Sequence, residues 1–121
     1  MCKERINKLE ERVEMLEFKI QLLSVESNTN KLLLEYDISH SQYIKLMDLM
    51  DEYKKDIDLG KEVHHTSFER KVYTITDKEG DYHFCEDFAR CLMEDERWEE
   101  VFPALYGKLA KYKYYMDKRE K

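Results

Sequence analysis

Six apolar residues, Ile6, Leu9, Val13, Leu16, Ile20 and Leu23, follow one another at intervals of three, four, three, four and three. That spacing is the seam along which one helix packs against another of its own kind. It predicts a helix over 6–23. The β-branched residues fall at the a positions and the leucines at d, a choice that favours two parallel strands. In a parallel pair each g residue faces the partner's e residue five positions on, so Arg5 would meet Glu10 and Arg12 would meet Glu17. An antiparallel pair would tend to set like charge against like. The seam is shorter than three full heptads, so an amphipathic helix folded onto its own domain is the alternative to self-association.

Met15, Phe18 and Leu22 form a second stripe, at c and f, on the later half of the same helix. That half should be sandwiched, with a partner chain on one side and the chain's own later helices on the other. The expected division is therefore an N-terminal oligomerisation helix, 1–23, and a helical bundle, 24–121, within a single domain.

Charged residues make up 40% of the chain, against a usual share of about a quarter, and there are only 3 Gly and 1 Pro to break helices. This balance favours long solvated helices. No apolar run approaches the length of a membrane span, and no apolar signal-peptide core follows the charged start, so a cytoplasmic protein with no membrane contact is expected. Cys2, Cys85 and Cys91 form an odd set without a C-x-x-C pair, which supports neither a disulfide framework nor a zinc site.

The net charge of −6 disfavours binding to duplex nucleic acid, but it is unevenly spread. Segment 77–100 holds ten acidic and three basic residues, whereas 107–121 holds six basic and two acidic. An anion would find the tail.

Further along, polar 24–30 reads as a loop, and Leu32, Leu33, Leu34 and Tyr36 as two turns of helix. Ser39 with Gln42 forms a capping box that opens a helix ending before Gly60. Thr66 with Glu69 suggests a second box, opening a helix on Phe68, Val72 and Ile75; a strand over 72–76 is the alternative on propensity, with nothing to pair with. Asp81 should cap a helix whose inward face carries Phe84, Phe88, Cys91 and Leu92. Asp95 should cap a last helix, with Trp98, Val101, Phe102, Leu105, Leu109 and Tyr112 inward and a kink or fresh start at Pro103. The fold class is all-α: a long coiled-coil-like N-terminal helix and four to five shorter ones.

The runs RVEMLEFKIQLL, DISHSQYIKLMDLMDEYKKDI, TSFERKVYTI and DYHFCEDFARCLMEDERWEEVF together resemble the small YhaI-like helical family of Gram-positive bacteria and their phages. The resemblance spans about 12–102 and implies an all-helical homo-oligomer without transferable catalytic residues. The basic, Tyr-rich extension after Leu109 departs from it.

Few residues suggest chemistry. His65 with Glu69, and His83 with Asp87, stand at i, i+4, but each lacks a third ligand, so no metal is expected and an ion pair is the plainer reading of the second. Cys85 and Cys91 are six apart and cannot face one ligand on a helix. Gly60, Gly80 and Gly107 are isolated, which leaves no phosphate loop. No enzymatic activity and no cofactor are expected. The tail KLAKYKYYMDKREK does combine cations with flat faces: Lys108, Lys111, Lys113 and Arg119 could hold phosphates while Tyr112 and Tyr115 stack on bases. The competing view makes Leu109, Tyr112 and Tyr115 a continuation of the core face.

The expected function is thus a homo-oligomeric, non-enzymatic binding protein. It would sequester a small anionic signalling nucleotide between subunits, as a phage-type immune-evasion sponge would. The alternative is an interaction or inhibitor module presenting the acidic 77–100 surface to a basic protein.

Overall fold

The computed structural model describes residues 2–109 and Lys111; Tyr112, Lys113, Tyr115 and Arg119 lie outside the described residues. Six helices are defined among the described residues: α1 (Cys2–Ser24), α2 (Asn28–Glu35), α3 (His40–Asp58), α4 (His65–Thr76), α5 (Tyr82–Glu94) and α6 (Val101–Tyr106). There is no strand among the described residues, and the ambiguous 72–76 stretch is helical. The fold is all-α.

Helix α5 is the hub, packing against α2, α4 and α6. The sequence suggested one inward face, yet Cys85, Ala89 and Met93 are buried as well as Phe84, Phe88, Cys91 and Leu92. Neighbours on three sides leave a short helix little surface to solvate. Phe84 and Phe88 stack at 5.7 Å, and Tyr53, Phe68, Tyr106 and Phe102 continue the aromatic core through tilted and edge contacts.

Helix ends explain most of the boundaries. The Ser39 and Gln42 box forms as expected, with each side chain bonded to the other residue's backbone N–H. Three helices then stop in the same way. After α2, α3 and α5 a residue with left-handed backbone, Asp37 (φ 55°), Gly60 (φ 77°) and Glu96 (φ 63°), is followed by an N–H that reaches back to a carbonyl five residues earlier. This six-to-one bond satisfies carbonyls that the helix leaves open.

Several expectations need correction. The loop is shorter than 24–30, because Ser27 accepts a bond from the Asn30 N–H and starts α2 inside that polar stretch. No capping box forms at Thr66: α4 begins earlier, at His65, after an N-cap His64 whose side chain makes no cap bond. Asp81 does cap α5, accepting from the Phe84 N–H. Asp95 does not cap the last helix. It ends α5, and its carboxylate turns to the start of α2, accepting from the N–H groups of Asn28 and Thr29 and from the Thr29 hydroxyl. The last helix instead begins afresh at Val101, which places Pro103 in its first turn, where a missing N–H costs nothing.

Candidate functional site

The residues of the N-terminal seam stay in water. Ile6, Leu9, Val13, Leu16, Ile20 and Leu23 are 50–70% exposed, while Phe18 and Leu22, on the opposite side of α1, are 4% and 6% exposed. Met15 is partly buried with them. The later half of α1 therefore docks through c and f onto α2 and α3, as the second stripe predicts, and its a/d side is left uncovered. Every side chain of 2–14 is exposed, so the first half of the helix leaves the body altogether. Lys19, at g, is drawn back onto the body by Asp37 at 2.7 Å, and its hydrogen bond and charge hold the Asp37 carboxyl below its ordinary range.

Beneath the docked half lies an open cleft of about 520 Å³ between α1, α2, α3 and the connection from α5 to α6. His40 stacks on Phe18 at 4.9 Å, and Tyr43 meets the same ring at 5.3 Å in a tilted arrangement. Asn30 closes one wall by donating from its amide to the carbonyls of Leu22 and Val25, which satisfies the end of α1. Asp95 forms another part of the wall. Burial works against its ionisation, but the hydrogen bonds from Thr29, Asn28 and Ser27 outweigh burial and hold its pKa below the usual value.

Arg97 is the cleft's cation. It lies between two residues with left-handed backbone, Glu96 and Trp98 (φ 46°), and its guanidinium stacks 4.9 Å from the Trp98 ring with a long contact to the Met47 sulfur. The Trp98 indole is fixed by a 2.8 Å bond to Asp51. Sequence reasoning singled out none of His40, Tyr43, Asn30 or Arg97. A clue was present in Arg97, one of three basic residues in an acidic segment, but its neighbours in space come from helices far apart in the chain.

The tail is only partly described. Lys108 is exposed. Lys111 bonds at 2.6 Å to Glu86, a carboxylate almost wholly buried on α5, and lies 5.4 Å over the Tyr82 ring. To take a phosphate this lysine would give up its bond to a buried carboxylate. Nearby, the Tyr106 hydroxyl donates to Glu69 at 2.8 Å, and burial together with that carboxylate drives the phenol's pKa far upward. His65 packs its ring against Tyr106, so His65 and Glu69 serve the core. Asp87 pairs with Arg90 at 2.9 Å, in place of the expected partner His83.

The acidic segment is largely engaged by the fold itself. Glu86 is tied to Lys111, Asp87 and Glu94 to Arg90, Glu100 to Lys54, while Asp81 and Asp95 cap helices. Among the described residues no group of three or more His, Cys, Asp or Glu could hold a metal ion, and no helix is long and apolar enough to cross a membrane. Cys85 and Cys91 are buried, and burial raises both thiols, Cys91 to about 11; Cys2 is exposed. Comparison with family models, with curated proteins and with solved structures found no match.

Proposed function

We propose that this chain is a non-enzymatic binding protein that works as a homo-oligomer, assembled through the uncovered side of α1. The observation that carries this reading is the contrast on one helix: Phe18 and Leu22 buried against the body, the six a and d residues half or more in water. Burying one such side chain completely is worth ~1.5–3 kcal/mol, so twelve that are already half-covered represent on the order of 10–20 kcal/mol in a pair. Association costs about 4–15 kcal/mol in lost freedom of motion, which is comparable with that gain, so the seam is of the size that a reversible pair requires. An outward helix of about a dozen residues is also marginal in water on its own. Pairing would supply the missing support. Light scattering tests this: wild-type protein should elute as an oligomer and Leu9→Glu/Leu16→Glu as a folded monomer, whereas a monomeric wild type refutes it.

The ligand we assign is a small anionic nucleotide, sequestered rather than converted. What supports it is the cleft, where the open side of His40 and the Tyr43 ring could stack on a base and Arg97 could take a phosphate; an anion requires the side of the cleft away from the Glu26 and Asp95 carboxylates. With Lys111 held by Glu86, the cleft is a better place for such a ligand than the described part of the tail. Calorimetry against cyclic and linear nucleotides should find one that binds wild type and binds Arg97→Ala at least about tenfold more weakly. No binding across the panel would reject the nucleotide and leave a protein partner as the alternative.

A further inference from the structure

We infer that the partner covering α1 is a second copy of this chain lying parallel to it and in register, so that the two Cys2 thiols meet at the outer end. The inference rests on the self-association proposed above and adds its orientation. Counting the seam back one heptad from Leu9 places Cys2 at d, the position whose side chains face their own equivalents across a parallel pair. The helix reaches that residue, since α1 runs from Cys2 to Ser24.

Charge complementarity selects the same geometry. Arg5 and Arg12 at g face Glu10 and Glu17 at e of a parallel partner, which gives four attractive pairs about the axis; antiparallel copies would oppose Arg to Arg and Glu to Glu. The third g residue marks where this pattern stops. Lys19 is bonded to Asp37 of its own body, and the e position that it would face holds uncharged Ser24. Interchain charge pairs are thus offered over 5–17 and stop where Lys19 turns to its own body. The contact is long enough to matter, since 23 helical residues extend about 34 Å.

Orientation is read directly by oxidation of the full chain with dilute hydrogen peroxide. Two Cys2 thiols give up two electrons and two protons, the peroxide is reduced to two waters, and one S–S bond joins the chains. Cys85 and Cys91 are shielded by burial and by their raised pKa values. A disulfide needs Cα atoms within about 7 Å, whereas antiparallel copies would hold the two Cys2 residues about 30 Å apart.

Wild type should give a reducible covalent dimer, Cys2→Ser none, and Leu9→Glu/Leu16→Glu a product formed about tenfold or more slowly, because pairing holds the thiols at an effective concentration far above that of the bulk. Sedimentation on the same samples separates the two claims. An oligomer that does not cross-link through Cys2 overturns the parallel register and leaves self-association standing, while a wild-type monomer overturns both.

Discussion

Asp95 shows how a single residue can be read correctly in kind and misplaced in space. A short acidic side chain beside a helix end suggests a cap, and Asp95 is one, but for α2, across the fold. Sequence proximity pointed to the wrong helix because the connection after α5 turns through Glu96 and Trp98 before α6 starts. Replacing Asp95 with Ala should cost about 1 kcal/mol of stability at neutral pH, as loss of a helix cap does, measured by urea unfolding. The pH dependence follows from the sign of its shift. Its pKa is held down in the folded state, so its contribution is present above the unfolded carboxylate value and fades as pH falls through the folded one. Wild type and Asp95→Ala should therefore converge in stability in acid. Arg97 presents the opposite case. Nothing in its immediate sequence announces His40 and Tyr43, which a different helix brings to the same cleft.

At the scale of the element, α1 was the most legible part of the chain. Its two stripes, read as a seam and a docking face, separate in the structure into an exposed and a buried side. Helix α3 was nearly as clear, because its capping box and Gly60 are both local signals. Helix α6 was not. The apolar residues from Trp98 to Leu109 keep a helical spacing, but the helix itself covers only Val101–Tyr106, since the periodic pattern records burial and burial does not require one continuous helix. If a partner supports the outer half of α1, amide protons of 3–14 should exchange more slowly as protein concentration rises through the association range, and should lose that dependence in Leu9→Glu/Leu16→Glu. Core amides of α5 should be slow in both.

For the whole molecule, an all-helical fold was legible from charge, scarce breakers and apolar spacing, whereas the cleft was not, because it exists only where three helices and a connection meet. The acidic surface that looked available to a basic partner is mostly committed to caps and ion pairs within the fold. The side of α1 that the body leaves uncovered is open to another molecule. Sedimentation equilibrium of the full chain across the micromolar range tests that claim most directly. The account predicts a mass rising with concentration toward twice the 14.8 kDa of one chain or a higher multiple, and a return to one chain's mass for Leu9→Glu/Leu16→Glu. A wild-type protein that stays at a single chain's mass throughout, with α1 folded as described, would contradict it.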